Sequence, residues 1–188
     1  MKDEQVGVAK LTTLTEEEAR EFWRLYRLYW REAERCEEAK AYLAGCVMLG
    51  SALEALLILM VDVYDEQAAA TGRVPMKGKK PKPLLDWDLG KLLRVAKAAG
   101  WLPAKLDPDK DDWDGRKAKV GDYAEVARVV RNLAHPGRYR KEHFRRRITA
   151  KYLQLQFEVV DACRGRLAYH NNESLLAHMR KEEAAEES

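Results

Sequence analysis

The residues with the clearest potential for chemistry lie in one short stretch, the motif segment Tyr123 to Tyr139. On a helix that turns by about 100° per residue, Arg128, Arg131, Asn132 and His135 converge on the flank and back. An imidazole titrates near neutral pH and can accept or donate a proton, while a guanidinium grips a phosphate through two parallel N–H groups. Together these residue types indicate phosphate chemistry.

The motif segment also carries an apolar stripe, which predicts a helix with one face in the core. The stripe consists of Tyr123, Val126, Ala127, Val130, Leu133 and Ala134. Pro136 disfavours helical geometry at His135 and Gly137 provides a flexible exit, so we expect the helix to end at or just after the histidine. A histidine at a helix C-terminus also interacts well with the helix dipole, so a purely structural role is the competing interpretation.

The stretch after Gly137 forms the strongest basic patch of the sequence. Its cationic residues are Arg138, Arg140, Lys141, Arg145, Arg146 and Arg147. Because Tyr139 and Phe144 are interleaved with these charges and the patch adjoins His135, we expect it to contact the phosphate backbone of RNA. A solvated basic turn is the alternative.

Length and composition predict one charge-rich helical domain in a reducing cytoplasm. The 188 residues are 46% hydrophobic and 35% charged, which suits a folded protein rather than a disordered one. The net charge is only +3, so affinity for nucleic acid has to come from local patches. The three cysteines are an odd number without metal-binding spacing, and the N-terminus lacks the apolar core of a signal peptide.

Neither a metal ion nor another cofactor is expected. The histidines are not clustered with other ligands at metal-binding spacing; they are His135, His143, His170 and His178. The connection Trp101 to Gly121 is rich in aspartate but lacks the glycine and terminal glutamate of an EF-hand loop, so it indicates turns.

The first helix is expected to begin at Thr15, because Thr15 and Glu18 form a capping-box pattern. Arg24, Arg27 and Arg31 mark its exposed side. Packing in the core is favoured over stacking on RNA bases for its apolar residues, which are Phe22, Trp23, Leu25, Tyr26, Leu28, Tyr29 and Trp30.

A break between Glu34 and Lys40 and a second helix over about Glu38 to Gln67 are predicted next. This helix is apolar nearly all round and should be the buried hub. Its stretch Ala41 to Val61 is long enough to span a bilayer, but the polar and small residues near its middle favour a core helix and no membrane partner. The mid-helix Glu54 is expected either to pair with Arg131 or Arg128, or to reach water.

Downstream, an exposed lysine-rich loop over 71–83 and a short helix from Leu84 to Ala99, capped by Asp86 or Asp88, are predicted. A closing helix is expected to begin at about His143 or Ile148 and to end at Tyr169, with a core stripe of Ile148, Tyr152, Leu155, Val159 and Ala162. The fold class is therefore all-α, an up-and-down bundle of about five to six helices. Residues 15–179 form the domain, between tails at 1–14 and 180–188.

The order of these elements resembles the HEPN superfamily, specifically its stand-alone bacterial and archaeal members. The similar parts are GSALEALL on the long apolar helix and VVRNLAHPGRY in the motif segment, within a region of roughly Glu38 to Leu167. In that family an arginine followed by a polar residue precedes a histidine by about four to six intervening residues. Arg131 has the polar neighbour Asn132 but three residues before His135, whereas Arg128 has six but is followed by valine.

The resemblance implies a metal-independent endoribonuclease of toxin or defence type, with two motifs meeting across a homodimer cleft. His135 would then act as acid or base, Arg131 and Arg128 would hold the scissile phosphate, and Asn132 would orient the phosphate or the imidazole. Other members are non-catalytic, so the alternative is an RNA-binding or protein-interaction module, whose protein partner would be an antitoxin or a complex subunit.

Overall fold

The computed structural model describes Leu11, residues 13–102, Arg128, Gly137 and, with gaps, residues 148–168. The described chain is all-α, as predicted, apart from one small hairpin. Its elements are α1 (Glu16–Glu38), α2 (Tyr42–Val63), α3 (Asp65–Ala70), β1 (Met76–Lys77), β2 (Lys80–Pro81), a 3₁₀ turn (Leu84–Asp86) and α4 (Leu89–Ala98). The helical residues described between 150 and 168 belong to the closing helix.

The start of α1 is fixed by the predicted capping box. The Thr15 hydroxyl accepts a hydrogen bond from the Glu18 N–H at 3.3 Å, and the Glu18 carboxylate accepts one from the Thr15 N–H at 2.8 Å. These bonds satisfy amides that the first helical turn leaves unpaired, and they lower the pKa of Glu18. The predicted break is confirmed as well, since α1 ends at Glu38 and Lys40 adopts a left-handed φ of 57° before α2 begins.

The second helix is the predicted hub, because its buried residues surround the helix axis. They are Gly45, Cys46, Leu49, Gly50, Ala52, Leu53, Ala55, Leu56, Leu57, Ile58, Met60 and Val61. By length and composition α2 could cross a membrane, and 67% of its most apolar window is buried inside the protein. The predicted span of Glu38 to Gln67 is divided in the structure, since α2 ends at Val63 and the short α3 follows.

Three helices come together where α2 presents Gly45. A Cβ atom at Gly45 would lie 2.9 Å from Cδ1 of Leu153 in the closing helix and 3.3 Å from Cβ of Cys36 in α1. Leu153 itself is fully buried. The missing side chain therefore allows α1, α2 and the closing helix to approach more closely than alanine would permit.

The closing helix buries residues that the predicted stripe did not include. Leu153 and Val160 are fully buried, whereas Ile148, Tyr152 and Ala162 of the predicted stripe are half-buried against the core. Leu155 and Val159 of that stripe lie outside the described residues. The helix begins at Ala150, where the Thr149 hydroxyl accepts a hydrogen bond from the Tyr152 N–H at 3.4 Å.

The aromatic side of α1 is only partly in the core. Tyr26 is buried and Trp30 packs edge-on against Phe157 of the closing helix at a centroid distance of 5.2 Å. Trp23 and Leu28, which were expected in the core, are 46% and 47% exposed. At the other end of α1, Leu11 is buried and Leu14 donates its N–H to Asp62, so the end of the predicted N-terminal tail packs on the core.

The segment expected to be an irregular lysine-rich loop contains a hairpin instead. Met76 pairs with Pro81 and Lys77 with Lys80 across a two-residue turn that begins with Gly78. Gly78 has a φ of 65°, and glycine at this position favours the tight turns whose twist matches that of the paired strands. The hairpin is exposed, as the lysine content predicts, and the Lys82 carbonyl just after it accepts a hydrogen bond from Nε1 of Trp87 at 3.0 Å.

Filling the contact at Gly45 should destabilise the fold. We expect Gly45→Val to lower the free energy of unfolding by about 2 kcal/mol, because the added methyl groups overlap Leu153 and Cys36 in a packed core. Gly165→Val is the matched control, since a Cβ at that helical, exposed position meets nothing within 4 Å. Urea denaturation of both variants measures the difference, and equal stabilities would contradict the close three-helix contact.

Gln156 is a second weak point of the core. It is fully buried in the closing helix, and neither its amide nitrogen nor its amide oxygen has a hydrogen-bond partner in the described structure. An unsatisfied buried amide costs about 1–3 kcal/mol, and an apolar group of similar shape avoids that cost. We therefore expect Gln156→Met to raise the free energy of unfolding by about 1 kcal/mol in urea denaturation. A loss of stability would mean that the amide is satisfied in solution.

Candidate anion-binding groove beside Arg128

Of the predicted catalytic residues, the structure describes Arg128. Arg131, Asn132 and His135 lie outside the described residues, and so do all six cationic residues of the patch at 138–147. Their roles stay predictions. Arg128 is helical and half-buried. Gly137 is helical too, although the sequence predicts an exit from the helix at this residue.

Arg128 lines a surface groove of about 630 Å³ together with residues of α4 and of the stretch after α3. Five of the residues that line it are cationic and one is acidic; the lining is Arg73, Asp88, Gly90, Lys91, Arg94, Lys97, Ala98 and Arg128. A concave surface with this balance of charge concentrates anions, because neighbouring positive charges reinforce one another where the walls exclude water.

The cations of α4 lie on its solvent-facing side because the other side of this helix is buried in the core. Leu89, Leu92 and Leu93 are at most 1% exposed, and Val95 and Ala96 are fully buried. Lys91, Arg94 and Lys97 follow one another at helical spacing on the remaining side, so their side chains are neighbours. The packing of α4 thus sets the direction in which these three charges point.

Gly90 forms the point at which Arg128 meets α4. A Cβ atom added there would lie 3.3 Å from Cδ and 3.7 Å from Nε of Arg128, and 3.3 Å from Oδ1 of Asp88. The absence of a side chain at Gly90 therefore lets the arginine lie across the first turn of α4. This contact joins residues that are far apart in the sequence.

Asp88 has two functions in the groove. It caps α4 by accepting the Lys91 N–H at 3.0 Å, which confirms the predicted cap, and its other oxygen pairs with the Lys91 ammonium. Partial burial would raise the pKa of Asp88, but the hydrogen bonds and the charge of Lys91 outweigh it, so the pKa is lowered. The stability that this charge contributes is present above the ordinary carboxyl pKa of 3.8 and is lost as the pH falls through the lowered value.

Glu54, the charge predicted to pair with Arg131 or Arg128, is half-buried in the middle of α2. It takes part in a polar or electrostatic interaction, so it does not simply face water without a partner. Arg128 also has such an interaction. An ion pair between Glu54 and Arg128 stays a prediction.

A second hollow, of about 330 Å³, is apolar and lies between α1, α2 and the closing helix. Its lining includes Trp23, Met60 and Tyr64, with Arg164 at its edge. Arg164 is held by Asp161 through two hydrogen bonds of 2.6 and 3.0 Å, so its charge is already neutralised. This hollow is therefore less suited to binding an anion than the groove beside Arg128.

Within the described ranges, His, Cys, Asp and Glu side chains form no group of three or more that could hold a metal ion. The sequence pointed to Arg128 but missed its four cationic neighbours. The spacing of Lys91, Arg94 and Lys97 on a predicted amphipathic helix was the available signal, whereas the position of Arg73 had none. No protein-family model, curated protein or solved structure matches this chain.

Neutralising Asp88 should strengthen anion binding without loosening α4. We expect Asp88→Asn to raise the affinity for inorganic tripolyphosphate about threefold, because it removes the negative charge from the lining, while asparagine caps a helix as well as aspartate does. Isothermal titration calorimetry measures the affinity. The free energy of unfolding, obtained from thermal denaturation, should change by less than about 0.5 kcal/mol. Asp86→Asn is the control, since Asp86 is exposed in the neighbouring 3₁₀ turn. Equal gains in both variants would contradict a local effect of the groove.

Proposed function

We propose that this chain is an RNA-directed protein of HEPN type and that its motif segment is a metal-independent endoribonuclease site. One observation carries the proposal: Arg128 of the motif segment lines a groove with four further cations. A phosphodiester backbone is the polymer that such a surface suits, since each phosphate has a charge and oxygen acceptors for guanidinium groups. The all-α bundle with a buried central helix is compatible with the resemblance seen in the sequence.

The proposed reaction uses residues of this chain alone. The ribose 2′-oxygen attacks the adjacent phosphorus while His135 takes the hydroxyl proton, the bond from phosphorus to the 5′-oxygen breaks, and that oxygen gains a proton. The products are a 2′,3′-cyclic phosphate and a 5′-hydroxyl. Arg131 and Arg128 bind the phosphate and stabilise its growing charge, while Asn132 orients it or the imidazole. A homodimer cleft supplies two histidines, one for each proton transfer.

A non-catalytic RNA-binding or protein-interaction module is the second candidate. The spacing of the motif favours it, because Arg131 lies only three residues before His135 and Arg128 lacks the polar neighbour. In that role the same face would bind RNA, a second copy, an antitoxin or a complex subunit. The basic patch Arg138 to Arg147 would supply further phosphate contacts.

We place the protein in the cytoplasm. Cys36 and Cys46 are free thiols, which suits a reducing compartment. Burial raises the pKa of Cys46 to about 12, so this thiol stays protonated and packs as an apolar group.

Removal of the imidazole should abolish cleavage. Purified protein incubated with single-stranded and structured RNA in EDTA should produce fragments that end in a 2′,3′-cyclic phosphate, and His135→Ala should be slower by about 10²- to 10⁴-fold. Arg131→Lys keeps the charge but loses the bidentate fork, so its rate should lie between the two. Denaturing gels give the rates, and circular dichroism checks the fold of each variant.

The two candidate functions give different results in this assay. Equal cleavage by wild type and His135→Ala would point to a contaminating nuclease and would overturn the proposed site. Binding of RNA without cleavage by the wild type would select the non-catalytic module.

A further inference from the structure

We propose that the groove between α4 and Arg128 binds the phosphate backbone of RNA, independently of its base sequence. This inference rests on the proposed function and adds a contact surface separate from the basic patch at 138–147. The binding residues are Arg73, Lys91, Arg94, Lys97 and Arg128.

The first argument is the concentration of charge. Between Gly72 and Ala98 eight lysine and arginine residues stand against the two carboxylates Asp86 and Asp88, although the whole chain has a net charge of only +3. The rest of the chain is therefore net negative. Such a local excess of positive charge attracts a polyanion and accelerates its encounter with this part of the surface.

The second argument is that two cations of the groove have no internal ion partner. In α1, Arg20 pairs with Glu16, whereas Arg27 and Arg31 have no ion pair among the described residues. In the described part of the chain, Arg73 and Arg94 of the groove have none either, and both are exposed. Their charges are available to a ligand at little cost, because no internal partner has to be displaced.

The third argument is what the groove lacks. Its described lining includes no aromatic ring, and Gly90 and Ala98 are its apolar residues. Bases are held by stacking and by hydrogen bonds to their edges, whereas phosphates need only charge and N–H donors. The lining therefore suits the backbone of a polymer better than a single nucleotide, whose base would lie unsupported.

The hairpin extends the same charge beyond the groove. Lys77, Lys79 and Lys80 are exposed on it, and its first strand begins three residues after Arg73. A strand of RNA that leaves the groove at Arg73 would meet these lysines next. A polymeric ligand can contact the groove and the hairpin at the same time, whereas a small anion can contact only one of them.

Charge reversal at two exposed groove positions tests the proposal. The variant Arg73→Glu/Arg94→Glu is compared with Arg27→Glu/Arg31→Glu, which makes the same change in net charge at exposed positions of α1. The probe is a fluorescein-labelled 2′-O-methyl RNA of about 20 nucleotides, which keeps the phosphates but has no free 2′-hydroxyl to react. Fluorescence anisotropy at about 50 and 200 mM salt gives affinity and salt dependence.

We expect the groove variant to bind at least about tenfold more weakly than wild type and its slope of log affinity against log salt to be shallower by about 1.4, the value for two lost phosphate contacts. The α1 variant should bind within about twofold of wild type. Both variants should unfold at the wild-type temperature, since the altered side chains are exposed.

The outcomes separate this inference from the proposed function. Equal affinities of the two variants, with tight binding by wild type, would overturn the groove and leave an RNA-directed protein that binds elsewhere. Failure of the wild type to bind RNA would overturn both. Binding of polyglutamate as tightly as RNA would overturn the assignment to phosphate, because it would show that any acidic polymer suffices.

Discussion

The burial of the middle of α2 on every side is the constraint on which the rest of the structure depends. A helix that is apolar all round cannot leave any face in water, so other elements must cover each of its sides. The helix α1 covers it through the short connection at Lys40, α4 packs on it from another side, and the closing helix enters at Gly45. The exposed arginines of α1 and the cations of α4 lie outward because the inward faces of both helices are required by α2.

The groove follows from this arrangement. Because α4 is short and one face of it is completely buried, its three cations share the little surface that remains. Arg128 then adds a charge from a distant part of the chain, across the first turn at Gly90. The groove is thus assembled on a packed base, and its cations Arg73 and Arg94 are exposed at the surface. Such a site costs the fold little, unlike a buried charge that needs a partner at all times.

The features predicted best from the sequence are those that neighbouring residues determine. The capping box at Thr15 and the Asp88 cap depend on residues within one helical turn, and both are found. The break before α2, predicted from helix length and a change in pattern, is found as well. Leu153 was not included in the predicted stripe of the closing helix, and its contact at Gly45 joins positions far apart in the sequence that no local pattern relates. The hairpin was missed because two residues per strand give no periodicity to detect.

The same distinction applies to the candidate site. Arg128 was recognised through neighbours on its own helix, but the contact with Gly90 joins positions 38 residues apart and has no local signature. A periodic pattern indicates on which side of a helix a residue lies, but it does not identify the residues packed opposite. For the groove, the residues opposite Arg128 determine the chemistry. One arginine on a helix is ordinarily solvated, whereas an arginine among four other cations in a concave surface lies in a positive potential that attracts anions.

A groove that contacts only phosphates would supply affinity rather than selectivity. Selectivity would then have to come from the motif segment that contains His135. Every RNA presents the same backbone, so charges on α4 and the hairpin would hold any strand and would release it as salt rises. Choice among RNAs would then depend on whether a strand held by the groove also reaches His135 with a 2′-hydroxyl in line for attack. Single-stranded segments satisfy that condition more readily than duplexes, because their sugars can rotate to align the attacking oxygen.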